Sequence, residues 1–257
     1  NTKMCDAWLY KYKEAEEKVL AILPFFHVYG MTTVLILSIM KGHEMIILPK
    51  FDAITTLKTI QKQKPTLFPG APTMYIGLLN HPDISKYDLS SIDACISGSA
   101  ALPVEVQEKF EKLTGGKLVE GYGLTETSPV VASNSLTLGK LKSGTVGVVM
   151  DNQEVMIAEN GEILVKGPNV MLGYYKDEEK TREAIDENGY VHTGDKGCFD
   201  EDGLLKITGR IKEIFKTSMG KYVSPVLIEN KIKESPFIGE MLVIGEGQKF
   251  AAALIYP

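Results

Sequence analysis

A short stretch, residues 121–127, in which two glycines flank Tyr122, gathers residue types that suit a nucleotide. Glycine lets the backbone approach a ligand closely, and the ring of Tyr122 can stack on a flat base. The Thr125 hydroxyl can hydrogen-bond a phosphate oxygen, and the Glu126 carboxylate is a hard oxygen ligand that suits Mg²⁺. Taken alone, these residues predict either a nucleotide site or, equally well, a glycine-rich turn after a strand.

A second polar segment, residues 193–195, contains an aspartate between polar stretches. The Asp195 carboxylate can accept hydrogen bonds from both hydroxyls of a ribose, although a single Asp in a tight turn more often forms an Asx-turn. Arg210 follows in a chain that otherwise uses Lys, with Arg182 as its only other arginine. Its guanidinium offers a planar fork of donors, and a solvated surface Arg is the alternative.

These stretches resemble, in their order and approximate spacing, the adenylate-forming enzymes, the superfamily of acyl-CoA synthetases, firefly luciferase and the adenylation domains of peptide synthetases. Residues 24–30 resemble its aromatic-His motif, and residues 98–103 its adenine-side loop. Residues 161–168 and 173–175 resemble its β-rich segment. Within the superfamily the chain is most similar to fatty-acyl-CoA ligases, and residues 216–225 favour the long-chain members.

The resemblance implies two half-reactions, in which a fatty carboxylate attacks the α-phosphorus of ATP and the thiol of coenzyme A then displaces AMP. It therefore implies ATP, Mg²⁺, coenzyme A and a fatty acid as ligands. It also implies that Tyr122 lies against the adenine ring, that Asp195 holds the ribose and that Arg210 adds a charged donor nearby. The implied residues are Thr125, Glu126, Arg210 and Lys212 for catalysis, Gly98, Ser99, Ala100, Gly121, Tyr122, Gly123, Thr125, Asp195 and Arg210 for the nucleotide, His27 and Tyr29 for the acyl substrate, and Glu126 for the metal.

Two of these residues have an open alternative. His27 either gates the entry of the carboxylate or is a hydrogen-bonded histidine of the core. Lys212 resembles the hinge at which the small C-terminal domain rotates between half-reactions, and a solvated linker lysine is the alternative.

The chain departs from the superfamily in two places. Residues 1–23 contain no Ser/Thr/Gly-rich phosphate loop ending in Lys-Gly, and the chain stops at residue 257 without the lysine that assists adenylation. We therefore expect an internal piece of a longer enzyme, inactive by itself. The alternatives are a non-catalytic fragment that binds nucleotide or acyl groups, and an aryl-CoA ligase.

Composition and charge narrow the class of protein. The 257 residues carry a net charge of −5, which gives no reason to expect binding of nucleic acid. Three widely spaced cysteines favour free thiols in a reducing, cytoplasmic compartment. Residues 19–40 are long enough to span a bilayer, but Pro24, His27 and Gly30 interrupt them. A buried strand–loop–helix is predicted there, without a transmembrane segment, and peripheral membrane association and oligomeric state are left open.

Strands that alternate with helices predict an α/β fold with a parallel sheet covered by helices. Strands are predicted at 44–49, 66–68, 93–97 and 117–120, and helices at 31–40, at 53–62 and after Pro72 and Pro103. Gly98 and Gly121 would both follow strand ends, where ligands bind in such sheets. The predicted units are residues 1–133, a β-barrel-like subdomain at 134–211, and the start of a small α+β C-terminal domain at 212–257.

Overall fold

A parallel sheet organises the first half of the chain. The computed structural model describes residues 1–9, 11–135, 141–211, 213–232, 235, 237, 238 and 240–256. Strand β1 (Lys18–Ala21) pairs with β2 (Glu44–Ile47), and β3 (Ala94–Ser97) pairs with β4 (Lys117–Gly123). Leu67 joins the two pairs through isolated parallel bridges to Val19 and Ala94. The strand predicted at 66–68 is thus reduced to one bridging residue, because Pro65 and Pro69 beside it have no N–H to donate.

Helices cover this sheet, as predicted for an α/β fold. They are α1 (Thr2–Trp8), a π-helix (Gly30–Ile36) that continues into α2 (Leu37–Lys41), α3 (Ala53–Gln63), α4 (Pro72–Leu79) and α5 (Val104–Thr114). Asp52 caps α3 by accepting a hydrogen bond from Thr55 N at 2.9 Å. The rings of Phe68, Tyr75 and Phe110 pack edge to face in the core between helices and sheet.

The helix expected at 31–40 is only half buried, which corrects the prediction of a buried strand–loop–helix. Val34 and Leu37 are enclosed, whereas Ile39 is 67% exposed and Ile36 is 42% exposed. The helix therefore buries one side against the core and α1 and leaves the other side open. Within the described ranges, none of the helices combines the length and apolar content that crossing a bilayer would require.

Strand β4 changes partner halfway along its length. Its first four residues pair in parallel with β3, and Gly121 to Gly123 pair antiparallel with β5 (Val130–Ser133), which in turn pairs with β6 (Val148–Val149). Gly121 therefore lies inside a strand, not beyond its end as predicted. Any Cβ at Gly123 would clash with the Pro129 carbonyl oxygen, so this close approach requires glycine.

The second half of the chain is rich in antiparallel strands. Strands β7 (Glu154–Ile157), β8 (Glu162–Lys166), β9 (Val191–Phe199) and β10 (Leu205–Arg210) form one sheet in the order β10-β9-β8-β7, and α6 (Glu178–Ala184) lies between β8 and β9 in the chain. A bridge from Gly147 to Leu205 connects this sheet to the segment just before β6.

The last segment contains two small hairpins and a helix. Strand β11 (Phe215–Lys216) pairs with β12 (Tyr222–Val223), helix α7 (Pro225–Ile232) follows, and β13 (Glu240–Ile244) pairs with β14 (Ala252–Tyr256). The fold class is therefore confirmed: a helix-covered parallel sheet, a β-rich layer and a small α+β segment follow one another along the chain.

Candidate functional site

One cavity of about 290 Å³ collects most of the residues that the sequence nominated. The motif residues on its wall come from the loop after β1, the loop after β3, the end of β4 with the turn that follows, and the end of β10. They are His27, Tyr29, Gly98, Ser99, Gly121, Tyr122, Gly123, Thr125, Glu126 and Arg210. Asp195 lies directly behind this wall, Ala100 is exposed and lies outside it, and Lys212 is outside the described residues.

Tyr122, Asp195 and Arg210 form a connected polar group. The Tyr122 hydroxyl donates to Asp195 Oδ2 at 2.8 Å, and Arg210 Nε donates to Asp195 Oδ1 at 3.0 Å. Burial raises the pKa of Tyr122, and the negative charge of Asp195 acts in the same direction. The Asp195 side chain is only 7% exposed, whereas that of Arg210 is 59% exposed. The Asp195 carboxylate is therefore enclosed, whereas much of the Arg210 side chain faces solvent.

The position of Asp195 follows from the strands that carry it. Arg210 on β10 lies directly opposite Asp195 on β9, which explains their contact. Asp195 N also donates to Thr193 Oγ1 at 3.1 Å, and Thr193 Oγ1 donates to the Ile163 carbonyl at 2.7 Å. These bonds fix the backbone on both sides of Gly194, so the carboxylate is held before any ligand arrives.

Tyr29 connects the acyl-side motif to the adenine-side loop. Its hydroxyl donates to the Ile96 carbonyl at 2.6 Å, and a Cβ on Gly98 would lie 3.1 Å from its ring. Ser99 next to it adopts φ +73°, a left-handed conformation that is uncommon outside glycine and that clusters at functional sites. Tyr29 therefore packs between the two loops. Burial of its side chain also raises its pKa.

His27 is exposed, so the alternative of a core histidine is wrong. Its Nδ1 accepts a hydrogen bond from Tyr29 N at 3.2 Å, which orients the ring on the cavity wall.

Glu126 has a partner that sequence reasoning missed. It lies in a 3₁₀ turn (Thr125–Thr127) that Thr127 anchors by donating to the Pro129 carbonyl at 2.6 Å. The Tyr174 hydroxyl donates to Glu126 Oε1 at 2.7 Å, and this bond raises the pKa of Tyr174 to about 12. Tyr174 lies in residues 173–175, which resemble the β-rich segment of the superfamily. Nothing else in the sequence indicated a role for it. The contact occupies one oxygen of the Glu126 carboxylate.

The side chains around Glu126 suit Mg²⁺ but do not suit a metal that is ligated by protein side chains alone. The described part of the chain contains no group of three or more His, Cys, Asp or Glu side chains placed to hold a metal. Mg²⁺ is commonly held by one or two carboxylates together with substrate phosphates and water. Glu126 on the cavity wall is consistent with that mode.

The cavity lining also includes apolar residues from other elements. They are Cys5, Trp8 and Leu9 from the first helix and its end, Leu37 of α2 and Ile96 of β3. Cys5 and Leu9 are buried, and burial raises the pKa of the Cys5 thiol to about 11. No motif in the sequence singled out these residues. The cavity lining thus combines polar side chains, such as Glu126 and Arg210, with apolar ones, such as Trp8 and Leu37.

The chain belongs to the AMP-binding enzyme family, whose profile matches residues 1–175. The profile of the AMP-binding enzyme C-terminal domain matches residues 212–257. Among curated relatives, the long-chain-fatty-acid–CoA ligase of Bacillus subtilis is 52% identical over 256 residues, which cover 95% of this chain and 45% of that ligase. The chain thus spans about half the length of the curated relatives that it matches.

Solved structures share this fold. A crystal structure of an anthranilate–CoA ligase in complex with anthranoyl-AMP superposes with a TM-score of 0.86 at 28% identity, covering 99% of this chain and 52% of that chain. The O-succinylbenzoate–coenzyme A synthetase of Bacillus subtilis, in complex with ATP and a magnesium ion, gives a TM-score of 0.82 at 25% identity, covering 98% of this chain and 54% of that one.

Proposed function

We propose that this chain provides the nucleotide- and acyl-binding part of an ATP-dependent long-chain fatty-acid–CoA ligase that forms AMP. The observation that carries the proposal is the hydrogen bond from the Tyr122 hydroxyl to Asp195 Oδ2, 2.8 Å long, beside a cavity lined by both polar and apolar residues. The adenylate of a fatty acid has a polar nucleotide and an apolar tail, and a mixed lining suits such a ligand. The 52% identity to a long-chain ligase supports the fatty-acid assignment.

In this proposal the nucleotide is held by side chains that are already in place. The Tyr122 ring lies against adenine, and Gly98 and Ser99 close the other side. Asp195 accepts hydrogen bonds from the ribose hydroxyls through lone pairs that its present partners leave free, because a carboxylate offers about four acceptor positions. Arg210, being largely exposed, turns to meet the ligand.

In the first half-reaction a carboxylate oxygen bonds to the α-phosphorus of ATP, the bond to the β-phosphate breaks and pyrophosphate leaves. Such chemistry depends mostly on positioning and charge stabilisation. Thr125 donates its hydroxyl to the α-phosphate, and Glu126 holds Mg²⁺, which would neutralise phosphate charge. His27 and Tyr29 border the path of the incoming carboxylate. The thiol of coenzyme A then displaces AMP from the acyl-adenylate, so coenzyme A is the second substrate.

The nucleotide site is tested by titrating AMP into the chain by calorimetry. Asp195→Ala should raise the Kd of AMP at least about tenfold, since hydrogen bonds to a charged group contribute about 1.5–3 kcal/mol. Asp151→Ala removes an exposed carboxylate elsewhere in the chain and should leave the Kd unchanged. An equal Kd for wild type and Asp195→Ala would remove Asp195 from the site.

An aryl-CoA ligase is the second candidate, because the fold matches an anthranilate–CoA ligase closely. Pyrophosphate release by the full-length gene product should be measured with fatty and aromatic acids in parallel. A preference for long-chain acids supports the fatty-acid assignment, and a preference for aromatic acids supports the alternative. Failure of every acid, despite AMP binding, would indicate a non-catalytic fragment that binds nucleotide.

The organisation of the chain is also a proposal. We infer units at residues 1–133, 134–211 and 212–257, with Lys212 as a hinge on the strength of the resemblance alone. Lys212→Pro should then spare adenylation and slow thioester formation in the full-length gene product. The three free cysteines support a reducing, cytoplasmic location.

A further inference from the structure

Glu162 is a buried carboxylate that contacts strand β9 just before Asp195. It is the first residue of β8, its side chain is 11% exposed, and it lies outside the cavity wall. Its Oε1 accepts a hydrogen bond from Gly194 N at 2.9 Å, and its Oε2 lies 3.2 Å from His192 Nδ1. Both partners belong to the segment that leads into Asp195.

The reason for this contact lies in the pairing of the two strands. Glu162 is opposite Lys196 and Leu164 is opposite His192, so a single residue of β8 faces the three residues 193–195 of β9. Such a bulge leaves backbone groups without a ladder partner. Gly194, at φ +71°, turns its N–H away from a regular ladder position, and the Glu162 carboxylate accepts that hydrogen bond instead.

Gly194 is also hydrogen-bonded through its carbonyl to the residue after β10. The Gly194 carbonyl accepts a hydrogen bond from Ile211 N at 2.7 Å, directly after Arg210. Gly194 is therefore held at its N–H by Glu162 and at its carbonyl by the strand end that carries Arg210. Asp195 is the next residue, so any displacement of Gly194 moves the carboxylate that faces Tyr122.

We propose that Glu162 is a positioning residue for ribose recognition: it holds the residue 193–195 bulge so that the Asp195 carboxylate meets the ribose hydroxyls. This inference rests on the proposed function, because it requires Asp195 to bind the ribose. Glu162 acts through Gly194 and does not touch the ligand.

In this role Glu162 acts through its hydrogen-bond acceptor oxygen and not through its charge. Glu162→Ala removes the acceptor. Glu162→Asp keeps the negative charge but withdraws the carboxylate by one methylene. Glu162→Gln keeps an acceptor oxygen at the same reach. Glu154→Ala is the matched control, because Glu154 lies on the edge strand of the same sheet and accepts a hydrogen bond from Tyr190 instead.

The readout is the preference of the chain for AMP over 2′,3′-dideoxy-AMP. It is measured by calorimetry as the Kd of 2′,3′-dideoxy-AMP divided by the Kd of AMP. This ratio reports on the ribose hydroxyls alone, so a general loss of structure would weaken both ligands and leave it unchanged. Glu162→Ala and Glu162→Asp should lower the ratio about tenfold, as expected when one hydrogen bond between a ribose hydroxyl and the Asp195 carboxylate is lost. Glu162→Gln and Glu154→Ala should keep it within about twofold of wild type.

A second measurement follows the Gly194 amide directly by NMR. Its proton resonance should move upfield in Glu162→Asp and stay near the wild-type position in Glu162→Gln. This comparison stands even if Glu162→Ala does not fold.

The outcomes separate the two proposals. A wild-type chain without preference for AMP would overturn the ribose assignment, and the role of Glu162 would fall with it. A wild-type preference that Glu162→Ala or Glu162→Asp retains would overturn only the positioning role. A loss in Glu162→Gln equal to that in Glu162→Asp would also overturn it, because an acceptor oxygen at the same reach would then not be enough to hold Gly194.

Discussion

Replacing Tyr122 by Phe and by Leu separates the two tasks that the structure gives this side chain. Its hydroxyl donates to the buried Asp195 carboxylate at 2.8 Å, and its ring lies on the cavity wall. Phe keeps the ring and removes the hydroxyl, whereas Leu removes both. The two variants therefore differ only in the aromatic face that we propose lies against adenine.

The two effects have separate magnitudes. A hydrogen bond to a charged group contributes about 1.5–3 kcal/mol, so Tyr122→Phe should lower the free energy of unfolding by about that amount. Stacking of a base on an aromatic side chain contributes about 1–3 kcal/mol. Tyr122→Leu should therefore raise the Kd of AMP by about 5- to 150-fold, whereas Tyr122→Phe should change it by less than about threefold.

Urea unfolding measures the first effect, and calorimetric titration with AMP measures the second. Circular dichroism should show that each variant is folded at the temperature of the titration. Equal Kd increases in the two variants would show that the hydroxyl, not the ring, serves the nucleotide. Wild-type affinity in Tyr122→Leu would remove the ring from the site.

Three further predictions concern other groups. Burial raises the pKa of Glu120 from its ordinary 4.5 to about 8, so the contribution of Glu120 to stability is largest below pH 4.5 and is lost as the pH rises towards 8; in urea unfolding across that range, stability should decline less with pH in Glu120→Gln than in wild type. Trp8 is the only tryptophan and lines the cavity beside other apolar residues, so a fatty-acyl adenylate analogue should shift its fluorescence, and AMP alone should not. Of the three cysteines only Cys198 is exposed, so the native chain should release one equivalent in a thiol titration and the unfolded chain three, whereas rapid reaction of Cys5 or Cys95 would contradict their burial.

Elements with local signals were predictable from the sequence. Helix α3 begins after Asp52, whose side chain caps it, and α5 ends at Gly115 in a left-handed conformation. Both signals act within a few residues. The strand expected at 66–68 failed for a local reason as well, because the neighbouring prolines limit its pairing.

The convergence of distant motifs on one cavity was also predictable, because the motifs occur in the order of a superfamily in which they line a single site. The supporting partners were not. Tyr174 is 48 residues from Glu126 in sequence, and Glu162 is 32 residues from Gly194. Their contacts depend on loop geometry and on a bulge between strands, which no local pattern encodes. Likewise, Gly121 lies within β4 because β5 extends the pairing, and β5 comes later in the chain.

A crystal structure of this chain with AMP tests the central claim most directly. We predict that the base lies against the Tyr122 ring and that the ribose hydroxyls come within about 3.2 Å of the Asp195 carboxylate, with Arg210 displaced towards the ligand. AMP bound elsewhere, or bound in the cavity with its ribose away from Asp195, would contradict the account.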